Sequence, residues 1–185
     1  GQAFAAEGRI SSARHALEKA IGLNPNYPRI LLNLGIVYQK LELFGEAITL
    51  LERCIKLDPQ GIPAFNSLGL TYRLQGDFPT AHNLYAIAAQ KCVEEAYEAN
   101  REQFTRVIGS GRDAALQIDG HMQEIVGAYL KSTPMYAIVT FNLGASLEMQ
   151  GRIDEARDKY LESVAMTPPG FEYDDPREAL RRIGY

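Results

Sequence analysis

Three histidines and two cysteines are the side chains of this sequence best suited to metal or nucleophilic chemistry, and their spacing assembles neither. His15, His82 and His121 lie far apart, whereas a zinc site needs donors that converge, usually from closely spaced pairs. Cys54 and Cys92 form no CxxC pair and cannot build a framework of several disulfides. Two unpaired cysteines point to a reducing, cytosolic setting. The chain contains neither GxxxxGK[ST] nor GxSxG, and Gly109-Ser110-Gly111 reads as a loop tip, too short to cradle a phosphate. Asp119-Gly120-His121 reads as a polar trio within a helix. Glu94, Glu95, Glu98 and Glu102 follow helical spacing and read as a solvated face. The expectation is a chain with no catalytic centre, no metal and no cofactor of its own.

The composition narrows the class further. The chain has 185 residues, of which 46% are hydrophobic and 23% charged, with a formal net charge of −4. That suffices for one compact domain or an elongated array of small units, and it excludes wholesale disorder. No stretch approaches the roughly 20 apolar residues that span a bilayer. The mild acidity argues against nonspecific nucleic-acid binding, which needs surplus Lys and Arg. Gly1 stands where a Met would start a translated chain, and no basic-then-apolar leader follows. A processed form or a fragment is therefore expected.

The remaining signal is internal repetition, and it specifies the elements that must position any site. Leu34-Gly35 followed by Tyr38 recurs 34 residues on as Leu68-Gly69 followed by Tyr72. Pro25 and Pro59 keep the same offset, as do Ala47 and Ala81. Leu143-Gly144 opens another copy, with Leu147, Ala156 and Pro168 in the later slots. A glycine or alanine at these places lets two helices approach closely. Leu34, Tyr38, Leu51 and Cys54 fall on one helical stripe, and Leu34, Tyr38, Leu68, Tyr72, Leu143 and Ala156 are expected to be buried. Gly8, Gly45, Gly76 and Gly151 mark turns, and Asp77 and Asp154 are placed to cap the helices that follow. Asn24-Pro25 and Asp58-Pro59 end helices, because a residue before proline is pushed out of the α region. One helix pair cannot bury its apolar face alone, so neighbouring pairs must stack.

This pattern resembles the tetratricopeptide repeat family, whose unit is a helix–turn–helix of 34 residues. The resemblance implies an all-α fold, a solenoid of helical hairpins coiled into a right-handed superhelix, with one irregular or degenerate helix pair. The expected organisation is a partial repeat at 1–27, repeats at 28–61 and 62–95, degenerate or inserted helices at 96–136, a repeat at 137–170 and a capping helix at 171–185. The irregular stretch admits two readings. Either the second helix of the unit at 62 continues to Ile108 as one rod, or it kinks near Cys92–Glu95 and 95–131 forms a degenerate pair. Alternation of helix direction along a solenoid favours the kink. Asp175-Pro176-Arg177-Glu178 reads as a cap, a first-turn proline and a capping-box glutamate.

The resemblance also implies where a ligand would sit. The first helix of each unit lines a concave groove that takes peptides or partner helices. In this chain the groove positions are Arg29, Leu32, Asn33, Ile36, Gln39 and Lys40, then Pro63, Asn66, Ser67, Leu70, Arg73 and Leu74. The last copy contributes Ile138, Phe141, Asn142, Ala145, Glu148 and Met149. Arg29, Asn33, Asn66, Arg73 and Asn142 are the expected peptide-binding residues, since an amide both donates to and accepts from a backbone and Arg pairs with carboxylates. Family members that clamp a terminal carboxylate use a Lys where this chain has Leu32 and Asn66, which argues against a full clamp. Arg29, Lys40 and Arg73 favour an acidic protein segment, and the apolar groove positions an amphipathic one. The leading expectation is a noncatalytic adaptor or scaffold. The alternatives are a substrate-selecting or dimerising region of a larger enzyme, such as a glycosyltransferase or signalling enzyme, and self-association through exposed repeat faces. The beginning inside a repeat suggests a cut, and the end beyond a plausible cap suggests a natural terminus.

Overall fold

One turn recurs in four places among the described residues, one of them at the end of the chain, where the Tyr185 N–H donates to the Leu180 carbonyl at 3.0 Å and Gly184 has φ of 86°. The Leu43 N–H donates to the Tyr38 carbonyl at 2.9 Å, Asp77 to Tyr72 at 3.0 Å and Arg152 to Leu147 at 3.0 Å. This is the closing hydrogen bond of a helix C-terminus that carries a left-handed residue. Gly76 and Gly151 supply that residue with φ of 85° and 76°, and in the first turn Glu42 does so with φ of 58°. The expected turn marker Gly45 lies instead inside the next helix. Gly8, one period before Glu42, also lies inside a helix. A lone glycine there costs a helix only about 1 kcal/mol, which leaves the helix able to run through it.

The computed structural model describes residues 2–107, 112–171 and 176–185, with side chains at 9–100, 122–171 and 176–185. Gly109-Ser110-Gly111, Asp175 and the side chain of His121 lie outside the described residues. Within them the fold is all-α, with no strand. The helices are α1 (Gln2–Leu23), α2 (Pro28–Lys40), α3 (Phe44–Leu57), α4 (Ile62–Leu74), α5 (Phe78–Val107), α6 (Arg112–Ser132), α7 (Pro134–Met149), α8 (Ile153–Met166) and α9 (Pro176–Arg182). Contacts divide the chain into two compact units, Gly1–Leu84 and Tyr85–Tyr185, with the boundary inside α5.

In the first unit α2 and α3 form a hairpin closed by small residues. A Cβ on Gly35 would stand 2.8 Å from Leu51 Cγ, so the two helices meet where glycine removes the obstacle. Leu31, Ala47 and Leu51 are fully enclosed, and Leu34 is 2% exposed. Cys54 is buried and its thiol donates to the Pro28 carbonyl at 3.2 Å. In the second unit α7 and α8 repeat this closure more tightly. A Cβ on Gly144 would meet the Tyr160 ring at 2.8 Å and the Ala156 carbonyl oxygen at 3.2 Å. Helix α9 packs Ala179 and Leu180 into the same core as Tyr160 and Ala156.

Several local expectations change. Tyr38 and Tyr72 are only partly buried; the Tyr38 hydroxyl emerges to donate to Glu18 Oε1 at 3.0 Å. Asp77 does cap α5, accepting from the Thr80 N–H at 3.1 Å. Asp154 does not cap; it lies inside α8 and pairs with Arg157 at 3.0 Å. The favoured kink near Cys92–Glu95 is absent, and α5 runs unbroken for 30 residues. Thr133 alone links α6 to α7, extended at φ −112° and ψ 118° before Pro134. That link is shorter than the about two to five residues of a common helical-hairpin loop.

Two substitutions test these local arguments. Glu42→Gly relieves a left-handed residue that costs roughly 1–2 kcal/mol, partly offset by glycine's larger unfolded-state entropy; a net gain of about 0.5–1 kcal/mol is expected in urea denaturation. Gly144→Ala forces a Cβ against the Tyr160 ring and backbone, and a loss of about 1–3 kcal/mol is expected. A Gly144→Ala protein as stable as the parent would remove the close helix contact from the account.

Candidate functional site

Helices α2 and α4 lie side by side in the first unit. Gln39, near the end of α2, is buried and its side-chain amide donates to the Ser67 carbonyl at 3.1 Å and to Thr71 Oγ1 at 2.9 Å. Thr71 Oγ1 itself donates to the Ser67 carbonyl at 2.9 Å. At the other ends, Pro28 and Leu32 of α2 face Pro63 and Ala64 of α4 across a shared cavity. Start meets start and end meets end, so the two helices run in the same direction, as first helices of successive repeats should. Gln39 and Ser67 were expected to be groove positions; the structure makes them the joint between the helices. A glutamine followed by Ser and Thr on the next first helix was the available signal.

The faces turned away from the hairpin cores carry the expected ligand residues. Arg29 and Asn33 are exposed one turn apart on α2. Asn66 and Arg73 are partly buried two turns apart on α4. Arg73 Nε is enclosed and has no hydrogen-bond partner among the described residues. Helices α2 and α4 contain three cations, Arg29, Lys40 and Arg73, and no Asp or Glu. None of the three enters an ion pair among the described residues. The structure thus gathers Arg29, Asn33, Asn66 and Arg73 on two adjoining helices. Asn142 belongs to α7 of the second unit, is 8% exposed, and is already engaged by another group.

The cavity between the helix starts was not foreseen. Its volume is about 280 Å³, and its walls are Tyr27, Pro28, Leu32, Pro63 and Ala64, with Arg29 and Asp58 beside them. Asp58 is turned towards its own loop: its Oδ1 accepts from the Gln60 N–H at 3.3 Å, and its Oδ2 stands where a Cβ on Gly61 would be 2.8 Å away.

The other groups with chemical potential are quiet. No cluster of His, Cys, Asp and Glu could hold a metal among the described residues. Burial pushes the Cys92 thiol up to about 12 and also raises Cys54, so both thiols stay protonated at neutral pH. No described helix is long and apolar enough to cross a membrane.

Glu148, another expected groove position, is occupied within the protein. Its carboxylate accepts from the Tyr160 hydroxyl at 2.6 Å and from Arg182 Nε and Nη2 at 2.9 and 2.7 Å. The hydrogen bonds from Arg182, aided by that from Tyr160, hold the Glu148 carboxyl below the ordinary glutamate range against the opposing effect of burial. Arg182 follows Glu148 by 34 residues, so α9 meets α7 at the place where a following first helix would stand.

Family models described as "TPR repeat" and "Tetratricopeptide repeat" match residues 1–42, 28–60 and 123–171. A peroxisomal targeting signal receptor of Yarrowia lipolytica is 27% identical over 169 residues, which cover 87% of this chain and 27% of that protein. BBSome complex member BBS4 of Bos taurus is 27% identical over 94 residues, covering 51% of this chain and 18% of that protein. The chain therefore spans well under two thirds of these relatives. Among solved structures, MamA is similar at 20% identity with a TM-score of 0.42, over 87% of this chain and 90% of that one.

The Glu148 contact yields a pH-dependent prediction. A carboxyl depressed in the folded state adds stability that is present above its unfolded value, about 4.3, and is lost as pH falls through the folded value. Arg182→Ala should lose about 1 kcal/mol at pH 7, a modest figure because the guanidinium is over half exposed. The difference from the parent should close in urea titrations below pH 4; a gap that persists at low pH would mean that Arg182 acts through packing alone.

Proposed function

Because the chain belongs to the tetratricopeptide repeat family, we propose that it is a noncatalytic interaction module, an adaptor or scaffold that binds a protein segment across the outer faces of α2 and α4. The observation that carries this reading is electrostatic. Two adjoining first helices present Arg29, Lys40 and Arg73 without one acidic residue between them, on a chain whose net charge is −4. A positive surface patch of this kind favours an acidic partner.

Each group on these faces has a role in this reading. Asn33 offers a donor and an acceptor to an extended backbone. Arg73 and Arg29 each offer a guanidinium to a carboxylate. Leu32, Ile36 and Leu70 supply apolar surface among them, which suits an amphipathic segment. Asn142 is left out of the contact set because it is buried and engaged. The relatives named as a targeting signal receptor and as a complex member support a role in protein recognition.

Binding to a randomised dodecapeptide phage library tests the reading and requires no identified partner. The parent should enrich peptides that carry Asp or Glu, with binding that weakens as salt rises. Charge-assisted hydrogen bonds contribute about 1.5–3 kcal/mol when shielded and less when exposed. An Arg29/Asn33/Arg73 triple-alanine variant should therefore bind the enriched peptides at least tenfold more weakly by calorimetry. Equal affinity for parent and variant would move the binding site off these helices.

A further inference from the structure

We infer that the cavity between the starts of α2 and α4 is an anchor pocket for one apolar side chain of the ligand, and that Arg29 pairs with a carboxylate next to that side chain. This inference rests on the proposed binding face and specifies what that face selects.

Size and chemistry of the cavity lead to this occupant. At about 280 Å³ it falls just below the ~300–1,000 Å³ range of pockets that enclose whole small molecules. One branched aliphatic or aromatic side chain is the fitting load. Leu32, Pro28, Pro63 and Ala64 make the walls apolar, and Tyr27, 48% exposed, stands at the edge. The polar groups near the floor are already used. The Cys54 thiol donates to the Pro28 carbonyl, and the Asp58 carboxylate accepts from its own loop. Arg29 and Asp58 both line the cavity and neither enters an ion pair among the described residues; the Asp58 carboxylate accepts from its own loop, whereas the Arg29 guanidinium has no hydrogen-bond partner there. A ligand that inserts only an apolar group would leave that guanidinium unanswered. A ligand that offers only a carboxylate would leave the apolar walls wet. An apolar residue within one or two positions of Asp or Glu satisfies both.

The surroundings set the direction of selection. Arg73 and Lys40 extend the positive surface from the pocket along the two helices, with no acid on either helix. Further carboxylates on the ligand would therefore be favoured on the side away from Asp58, towards the ends of α2 and α4. The recognised element is an apolar anchor beside an acid, followed by a polar or acidic stretch.

The experiment uses peptides enriched from the randomised library and measures affinity by fluorescence anisotropy. Three protein variants separate the pocket from the wider face: Leu32→Gln removes part of the apolar wall, Arg29→Glu reverses the rim charge, and Arg73→Ala weakens the face away from the pocket. Circular dichroism melts confirm that each variant is folded. Enriched peptides should share an apolar residue one or two places from Asp or Glu. Replacing that apolar residue by Ala should weaken binding to the parent at least fivefold, and should have less than twofold effect on Leu32→Gln. Arg29→Glu should lose at least tenfold for the acidic peptide. If Leu32→Gln and Arg29→Glu bind like the parent while Arg73→Ala is weakened, the anchor pocket is wrong and the binding face stands. If all three bind like the parent, or if the library yields no enriched peptide, both readings fail.

Discussion

The close crossing of two helices at a residue without a Cβ is the constraint on which the rest depends. At Gly35 the neighbouring atoms are the branch carbon and one methyl of the fully buried Leu51. At Gly144 they belong to an aromatic ring and a backbone carbonyl. These contacts set which face of each first helix is turned to its partner. The opposite faces of α2 and α4 are then left to be joined through Gln39, and what Gln39 does not cover becomes surface. Position along the repeat thus determines exposure: Leu34 and Gly35 close the hairpin, Gln39 joins neighbours, and Arg29 and Asn33 remain available.

The second unit shows how the same geometry can be brought to an end. Glu148 occupies the slot equivalent to Gln39, and its partner is Arg182 of the short helix α9. An ionic bond here takes the place of the amide bond in the first unit. The apolar share of the contact comes from Ala179 and Leu180, which cover the Tyr160 and Ala156 core. A seven-residue helix is too short to be stable alone. Its order follows from what it covers and from the bidentate contact with Glu148.

Helix content and the hairpin cores were legible in the sequence because they rest on types that cannot be exchanged freely. Leu34, Gly35, Ala47 and Leu51 report packing directly, and their recurrence multiplies the signal. The turns were less legible. Glu42 holds the left-handed place that Gly76 and Gly151 hold elsewhere, and a glutamate there gives no hint of its conformation, so Gly45 drew attention instead. The continuity of α5 was hidden by the expectation that helix directions alternate, although no Gly or Pro interrupts 80–107. At the candidate site, the charges of Arg29 and Arg73 could be read from sequence. The use of Gln39 as a joint had only a faint signal, the Ser67 and Thr71 that accept from it on a different helix. The cavity at Tyr27 and Pro63 depends on loop geometry, which no side-chain pattern records.

The central claim is that ligands meet this protein on the outer faces of α2 and α4. Backbone amide chemical-shift mapping of isotope-labelled protein, titrated with an acidic amphipathic peptide from the library, tests it most directly. The account predicts perturbations that cluster at 29–36 and 63–74, while the outward residues of α3, such as Glu52, Arg53 and Lys56, stay unmoved. Perturbations centred on α3 or α8, with Arg29, Asn33 and Arg73 unaffected, would contradict it.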